Sequence, residues 1–312
     1  METPGRTRLN PAIEGLWPAL LLPLKASGQL DTGRTLAHAR HLLAAGCDGV
    51  TLFGTTGEGP AFTVAERRAL LESMLAGGIA ADRLVVTTTA VALDDAIEIG
   101  RHASQLGVHR QLWMPPFYYK QPRDAGVVEA ASRVIQGIGD ADLRLLLYHF
   151  PAMSSYGFSH AAIAELVRRH PDQVVGVKDS SGDLDHACAL ARAFPQLSIL
   201  VGAELHVASV MRVGGRGSIN GLANIAPHLM RRVIDHPQAV SDADHALIAA
   251  LLGLLSVCPG MNFVSVYKTM LAQQTGDDAW LAVRAPLTPL DNTEAQAVRS
   301  GYRTASASFT PL

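Results

Sequence analysis

The chain has 312 residues, of which 48% are hydrophobic and 17% are charged, so it carries enough apolar material for a large core. Its formal net charge of −2 gives no reason to expect binding to nucleic acid or to an anionic membrane. The three cysteines, Cys47, Cys188 and Cys258, form no C-x-x-C pair, which is typical of reduced thiols. No signal-peptide pattern opens the chain, and no apolar run reaches about 18 residues. We therefore expect a soluble, cytoplasmic protein that acts on a small molecule.

Short apolar runs alternate with longer amphipathic segments through the first two thirds of the chain. This alternation is typical of repeated βα units around a parallel sheet. The predicted strands are residues 16–22, 49–53, 84–88, 110–114, 143–148, 174–177, 198–201 and 217–220. Helices are predicted between them, for example at 34–45, 64–76, 94–106, 160–170 and 184–194. These units predict an α/β fold, a (β/α)8 TIM barrel.

The pattern changes after Pro227, where three segments have helical periodicity with no strand between them. They are residues 229–234, 243–257 and 262–274. We therefore predict a flexible N-terminus at 1–10, a barrel at 11–227 and a C-terminal helical extension at 228–312.

Two smaller patterns have structural interpretations. Thr63 and Glu66 have the spacing of a capping box at a helix start. His38 and His41 lie three residues apart on a predicted helix, but no third metal ligand accompanies them. We expect both histidines on the exposed face of that helix rather than in a metal site.

Lys178 ends the strongly apolar run 174–177 and is followed by a polar turn that begins at Asp179. Lysine is rarely buried without a partner or a purpose. One interpretation is that Lys178 pairs with Asp179 or reaches solvent along its apolar stem. The other is that it forms an imine with the ketone of a 2-oxo acid, because burial favours the neutral, nucleophilic amine.

Other reactive side chains follow predicted strands, which is where barrel enzymes place their active sites. Thr55 and Thr56 lie in the glycine-rich segment 54–59, where hydroxyls and backbone amides can bind a carboxylate. Tyr148 ends the fifth predicted strand. It is either a core aromatic or, beside a lysine one strand along, a proton shuttle. His149 is the next residue and should point to the opposite side of the sheet.

Three motifs resemble, in order and spacing, the dihydrodipicolinate synthase and N-acetylneuraminate lyase superfamily. They are Gly-Thr-Thr-Gly-Glu at 54–58, Tyr-His-Phe-Pro at 148–151 and Gly-Val-Lys-Asp-Ser-Ser-Gly-Asp at 176–183. The resemblance extends over nearly the whole chain. It implies a homotetrameric barrel that acts as a class I lyase or aldolase on pyruvate or another 2-oxo acid, without metal or organic cofactor. Lys178 would form the imine, and Tyr148 would be the acid/base.

The resemblance also implies roles for the threonines and for a second tyrosine. Thr55, Thr56 and their backbone amides would hold the carboxylate of the 2-oxo acid. Thr56 would also pass protons between Tyr148 and a tyrosine from a neighbouring subunit. That tyrosine would be Tyr118, with Tyr119 as the alternative because the motif carries an extra residue there.

Position 153 bears on the substrate. Dihydrodipicolinate synthases usually have an arginine two residues after the proline of the tyrosine motif, where it binds the carboxylate of aspartate semialdehyde, but this chain has Met153. Loss of a charge-assisted hydrogen bond costs roughly 1.5–3 kcal/mol, which argues against that activity. The segment around Met153 is more similar to the sialic-acid lyase and 2-keto-3-deoxy sugar-acid branches. A short, partly apolar pocket also fits hydroxy-oxoglutarate or aromatic 2-oxo acid aldolases.

Further substrate-binding candidates follow from the resemblance. They are Gly57, Ser180, Gly202, Glu204 and Asn220. Glu204 falls where the sugar-acid branches often carry an acidic residue that could bind a polyol.

Alternatives remain open at this point. A dehydratase or hydratase of a 2-oxo acid would use the same lysine, and 4-hydroxy-tetrahydrodipicolinate synthase activity is a second alternative. A third is a catalytically silent ligand-binding barrel, although the joint presence of Lys178, Tyr148 and Thr56 argues against it. The expected partners are a small 2-oxo acid and further copies of the chain in a homotetramer, built as a dimer of dimers, with no nucleic acid and no membrane.

Overall fold

The computed structural model describes residues 13–258 and 260–307, in which eight strands alternate with helices. The strands are β1 (Gly15–Pro18), β2 (Val50–Leu52), β3 (Leu84–Thr87), β4 (Arg110–Trp113), β5 (Arg144–His149), β6 (Val174–Asp179), β7 (Ser198–Val201) and β8 (Gly217–Asn220). The helices are α1 (Thr32–Ala44), α2 (Val64–Ala76), α3 (Leu93–Gln105), α4 (Asp124–Ile138), α5 (Pro151–Ser154), α6 (His160–Arg169), α7 (Leu184–Ala193), α8 (Val207–Met211), α9 (Pro227–Asp235), α10 (Asp242–Gly253), α11 (Phe263–Thr275) and α12 (Asn292–Ser306).

The strands form a parallel barrel. Their order in the sheet is β1-β8-β7-β6-β5-β4-β3-β2. The two ends of this order meet through a parallel bridge between Ala19 and Thr51, where the Leu20 N–H donates to the Thr51 carbonyl at 3.0 Å. The predicted (β/α)8 fold is confirmed.

Successive side chains on each strand point alternately into the barrel and out to the helices, as the two-residue period of a strand requires. The inward set forms one apolar cluster: Ile13, Trp17, Ala19, Val85, Leu112, Met114, Leu146, Tyr148, Leu200 and Ile219. Lys178 pairs in register with Tyr148 on the adjacent strand. Both residues therefore lie inside the barrel, at the carboxyl ends of β5 and β6.

The predicted capping box begins α2 and is confirmed. The Thr63 hydroxyl accepts the Glu66 N–H at 3.2 Å, and the Glu66 carboxylate accepts the Thr63 N–H at 2.9 Å. These bonds satisfy two backbone donors that have no partner within the helix.

Helix α9 packs against β1, α8 and the turn that follows β8, which is the position of the eighth barrel helix. Helix α9 therefore belongs to the barrel, although nearly all of it lies within residues 228–312, which we predicted to form the C-terminal helical extension. Helices α10–α12 form the predicted extension, and α11 is its most buried helix. The predicted N-terminal segment 1–10 lies outside the described residues. No described helix is both long and apolar enough to span a membrane.

His38 on α1 is buried, so its predicted exposure was wrong. Its Nε2 lies 3.1 Å from the Asn224 amide oxygen, and the Trp280 ring packs edge-on against its ring at 5.0 Å. Trp280 follows α11, so the C-terminal region covers a face of α1 that would be exposed on a bare barrel. Burial lowers the pKa of His38 to about 4. His41 is exposed, as predicted.

Candidate active site

Lys178 lies inside the barrel with 4% of its surface exposed. Strand β6 continues to Asp179, two residues beyond its predicted end, so Lys178 is part of the strand. Its Nζ is 4.1 Å from the centre of the Tyr148 ring. Asp179 points to the outer face, where its carboxylate lies 2.7 Å from His186 Nδ1. Asp179 is thus not the partner of Lys178, and no other carboxylate in the described ranges forms an ion pair with the Lys178 amine.

The loop after β2 brings Thr55 to Tyr148. Phe53 has a φ of 59°, in the left-handed region, so the backbone reverses immediately after the strand. The Thr55 hydroxyl lies 3.2 Å from the Tyr148 hydroxyl. The resemblance implied that Thr56 contacts Tyr148, but in the structure Thr55 makes this contact. Thr56 is buried and lines the same cavity as Tyr148, but it forms no hydrogen bond with Tyr148.

The same loop is held at its far end by a buried ion pair. Glu58, with a φ of 54°, pairs with Lys268 of α11, and both side chains are fully buried. The Lys268 amine also donates to the Ala282 carbonyl at 2.7 Å, and the Arg284 N–H donates to the second Glu58 oxygen at 2.7 Å. Burial lowers the pKa of Lys268, and Glu58 opposes that effect. The C-terminal region thereby fixes the loop that carries Thr55.

A first cavity of about 250 Å³ opens onto Lys178. Its lining comprises Ala19, Thr55, Thr56, Tyr148, Phe150, Lys178, Ser180, Ser181, Gly182, Gly202, Ala203, Glu204, Ile219, Asn220, Gly221, Leu255, Phe263 and Tyr267. Sequence reasoning missed Leu255 and Phe263 and gave Tyr267 no role. These residues follow the barrel in sequence, so no strand end marks them.

Glu204 and Asn220 line this cavity, but protein groups already bind them. Glu204 accepts the Leu222 N–H at 3.0 Å and lies 3.4 Å from the Tyr267 hydroxyl. The Asn220 amide nitrogen donates to the Ser218 hydroxyl at 2.7 Å, and its oxygen accepts a backbone N–H at 2.8 Å. Burial raises the pKa of Glu204, while backbone amides partly offset that effect.

The two predicted glycines differ in position. Gly202 lines the first cavity beside Ser180, and a Cβ at Gly202 would lie 2.1 Å from the Ser180 hydroxyl oxygen. Gly57 lies behind the loop, where a Cβ would be 2.5 Å from the Leu20 carbonyl oxygen. Gly57 therefore allows close packing of the loop on the barrel, and it is not among the residues that line the cavity.

A second cavity of about 440 Å³ lies on the other side of Thr55 and Tyr148, which line both spaces. Its lining comprises Phe53, Thr55, Glu58, Pro60, Ala61, Thr87, Thr89, Met114, Phe117, Tyr148, Met153, Arg284, Ala285, Pro286 and Leu287. Met153 thus lies beside the tyrosine, but in this second cavity and not in the first.

Tyr118 and Tyr119 are on the surface. They are 70% and 77% exposed, and their rings meet edge to face at 5.4 Å. Neither ring lines either cavity of this chain. A contact between Tyr118 and the hydroxyls of Thr55 and Tyr148 would therefore require a second copy of the chain.

His149 points away from Tyr148, in agreement with the alternation along the strand. Its ring stacks on His186 at 4.2 Å, and its Nδ1 accepts the Phe158 N–H at 3.0 Å. His149, Asp179 and His186 have ligand atoms within 4.8 Å of one another, as a metal site would need. The Phe158 N–H already binds His149 Nδ1, and the Asp179 carboxylate already binds His186 Nδ1. We therefore interpret this cluster as structural. Burial lowers the pKa of His149 to about 4.

Comparisons with known proteins agree with this arrangement. The model of the dihydrodipicolinate synthetase family matches residues 12–304. An uncharacterized DapA-like lyase from Chloroflexus aurantiacus is 35% identical over 302 residues, which cover 95% of this chain and 98% of that protein.

Solved structures share the same fold. The crystal structure of dihydrodipicolinate synthase from Agrobacterium tumefaciens superimposes with a TM-score of 0.88 and 33% identity, over 94% of this chain and 99% of that one. A sialic acid aldolase from Ruminococcus gnavus superimposes with a TM-score of 0.84 over 97% of this chain and 100% of that one, and at 21% identity it supports the fold alone. The predicted superfamily and the predicted class of enzyme, a carbon–carbon lyase, are confirmed. The chain is a member of the dihydrodipicolinate synthetase family.

Proposed function

We propose that the protein is a class I aldolase or lyase in which Lys178 forms an imine with pyruvate or a closely related 2-oxo acid. The observation that carries this proposal is the Lys178 amine, which is buried, has no carboxylate partner among the described residues, and lies 4.1 Å from the Tyr148 ring. The adjoining cavity of about 250 Å³ suits a small acid rather than a drug-sized ligand.

In the synthetic direction, the Lys178 amine adds to the C2 ketone and water leaves, which gives the imine. Loss of a C3 proton converts the protonated imine to an enamine. The C3 carbon then attacks the aldehyde carbon, and the aldehyde oxygen takes a proton. Water finally hydrolyses the imine and releases a 4-hydroxy-2-oxo acid with the free amine. Cleavage follows the same steps in reverse.

We assign the proton transfers to Tyr148, whose hydroxyl lies 3.2 Å from that of Thr55. A phenol that exchanges protons with a second hydroxyl can take a proton at one step and return it at another. Thr56 and the backbone amides of the loop would bind the carboxylate of the 2-oxo acid. In this assignment Thr55, rather than Thr56, belongs to the proton relay.

We further propose a homotetramer in which Tyr118 reaches the relay of a neighbouring copy. Two adjacent tyrosines that are 70% and 77% exposed are typical of an interface, since aromatic residues are enriched there. Light scattering should give four times the monomer mass, and Tyr118→Ala should lower kcat. A fully active monomer would contradict this proposal.

The free thiols of Cys47, Cys188 and Cys258 support a cytoplasmic location.

Borohydride trapping tests the imine directly. Pyruvate and borohydride should add one reduced pyruvate to the intact protein, and peptide mapping should place it on Lys178. Lys268 is a matched internal control, because it is also buried but is paired with Glu58. An adduct on Lys268, or an equal adduct in Lys178→Ala, would contradict the proposal. Borohydride would also trap a dehydratase. A dehydratase releases water from its substrate and does not form pyruvate and an aldehyde, so the products distinguish it from an aldolase.

A further inference from the structure

We propose that Asp179 and His186 are positioning residues for the imine-forming amine. Paired on the outer face of the barrel, they hold the end of β6 so that Lys178 faces the first cavity. Both belong, with His149, to the cluster that we interpret as structural. This inference rests on the proposed function, because it takes the imine to form at Lys178.

The order of residues in β6 couples the outer face to the inner one. Asp179 directly follows Lys178 in the strand, so the two side chains point to opposite faces. A rotation of the strand about its own axis would move both side chains together. Holding Asp179 in place therefore fixes the direction in which the Lys178 side chain leaves the backbone. The neighbouring strand β7 is tied to the same residue, since the Gly202 N–H donates to the Asp179 carbonyl at 2.7 Å.

The Asp179 carboxylate is buried, and both of its oxygens have partners. One oxygen accepts the Ser181 N–H at 2.8 Å and the Ser181 hydroxyl at 2.7 Å. The other lies 2.7 Å from His186 Nδ1. Burial acts to raise the pKa of Asp179, but the hydrogen bonds from His186 and Ser181 outweigh it and leave the pKa below its usual value. Removal of the His186 ring would leave a buried oxygen without a partner, so the end of β6 would have to move.

The same carboxylate holds the turn that forms one wall of the first cavity. Ser180, Ser181 and Gly182 line this cavity beside the lysine. The backbone N–H and the hydroxyl of Ser181 both bind Asp179, so the position of the turn depends on that carboxylate. A displaced Asp179 would therefore shift both the amine and the wall beside it.

The His186 ring is itself held by two elements. It lies in the first turn of α7, where the Asp183 side chain accepts the His186 N–H at 3.0 Å. The ring also stacks on His149, with ring centres 4.2 Å apart. His149 and Asp179 are paired in register on β5 and β6, each one residue beyond the tyrosine and the lysine of the site. The stack thus joins the outer faces of the two strands that carry the phenol and the amine.

A second histidine–aspartate pair of the same geometry lies at the other end of the barrel. His109 Nδ1 is 2.7 Å from the Asp140 carboxylate, which also accepts the Asp142 N–H at 2.9 Å. His109 directly precedes β4, so this pair is at the amino ends of the strands, away from the cavity. Loss of either histidine removes a comparable pair, but only loss of His186 should change the chemistry of the amine.

Rapid-quench trapping separates positioning from folding. The protein is mixed with saturating pyruvate and quenched into borohydride at successive times. The amplitude of the adduct on Lys178 then reports the fraction of folded sites, whereas the rate constant reports how well the amine meets the ketone. We expect His186→Leu to lower the rate constant by about tenfold or more, because a small displacement of a reacting group is costly. His109→Leu should leave the rate constant unchanged.

Conservative variants test whether the hydrogen bond to Asp179 carries the effect. His186→Asn keeps a donor the same number of bonds from Cα as Nδ1, so it should recover most of the wild-type rate constant. Asp179→Asn keeps the shape of the carboxylate without its charge and should be slow. Because both residues act as one unit, the double variant of His186→Leu and Asp179→Asn should be no slower than the slower single variant. If His186→Leu does not fold, Asp179→Asn alone carries the prediction.

Three results would overturn the proposal. They are a wild-type rate constant in His186→Leu or in Asp179→Asn, an equal loss in His109→Leu, and an equal loss in His186→Asn and His186→Leu. Losses that multiply in the double variant would also do so.

Failure of this inference is distinguishable from failure of the proposed function. If borohydride traps pyruvate on Lys178 equally fast in wild type and in His186→Leu, the imine mechanism stands and the positioning role fails. If the wild-type protein does not trap pyruvate, the proposed function fails, and the positioning role fails with it.

Discussion

The Tyr148 hydroxyl is the one group that Tyr148→Phe removes while leaving the ring over Lys178 in place. Imine formation with pyruvate should survive in this variant, because the Lys178 amine is retained. Turnover requires proton transfer, so kcat should fall by about 10²–10⁴-fold. Tyr156→Phe is a suitable control, since the Tyr156 hydroxyl binds Asp124 at 2.7 Å and does not line either cavity. An unchanged kcat in Tyr148→Phe would remove this residue from the relay.

The two adjacent threonines can be distinguished by matched substitutions. Thr55→Val removes a hydroxyl that lies 3.2 Å from the Tyr148 hydroxyl, and one such hydrogen bond is worth about 1 kcal/mol. We expect kcat to fall by roughly fivefold or more. Thr56→Val should instead raise KM for pyruvate. A lower kcat in Thr56→Val alone would restore the role that the family resemblance gave to Thr56.

Among the elements, the loop after β2 depends on a helix that lies more than 200 residues later. The Glu58–Lys268 pair has both side chains fully buried, so removing one partner leaves an uncompensated charge. Lys268→Met and Glu58→Gln should each lower the free energy of unfolding by about 3–5 kcal/mol. The double variant should lose clearly less than the sum of the two single losses. Denaturant unfolding measures this, and strictly additive losses would show that the two charges do not stabilise each other.

Most elements could be predicted from hydrophobic periodicity. Helix α2 and strands β7 and β8 have their predicted ends, and a glycine directly follows each of them: Gly77, Gly202 and Gly221. Strand β6 extends two residues beyond its predicted end, since Lys178 and Asp179 interrupt the apolar run without interrupting the backbone hydrogen bonds. Helix α12 was not predicted. Few of its side chains are buried, so its apolar stripe is narrow.

At the scale of the whole molecule, burial of neutral histidines makes stability depend on pH. Burial lowers the pKa of His38 and of His149 to about 4. The unfolded chain binds protons near pH 6.5, so the stabilisation is full above that pH and is lost as the pH falls from 6.5 towards 4. Each histidine contributes up to about 3 kcal/mol in this way. The raised pKa of His186 opposes this loss of stability as the pH falls.

Denaturant unfolding at pH 7 and pH 5 should therefore show a lower free energy of unfolding at pH 5. His38→Gln keeps an amide that can donate to Asn224 but cannot be protonated, so it should reduce the difference between the two pH values. His228→Gln, at an exposed position of α9, should not change it. A difference that is the same in wild type and in His38→Gln would show that His38 does not titrate on unfolding.

The barrel itself explains which parts of the site could be predicted. A parallel barrel gathers the carboxyl ends of its strands at one end, so residues that follow strands, such as Lys178, Tyr148 and Thr55, meet there. Side chains of the C-terminal helices, such as Tyr267 and Lys268, reach the site only through tertiary packing, and no local pattern marks them. The choice between Thr55 and Thr56 also escaped prediction, because it depends on the backbone reversal at Phe53.

The most direct test of the enamine mechanism is exchange of the pyruvate methyl protons in deuterium oxide, because it needs no knowledge of the aldehyde. Proton NMR should show the methyl signal of pyruvate decreasing in the presence of the wild-type protein. The loss should be abolished in Lys178→Ala and slowed in Tyr148→Phe. Exchange that continues at the wild-type rate in Lys178→Ala, or that is absent from the wild-type protein, would contradict the mechanism.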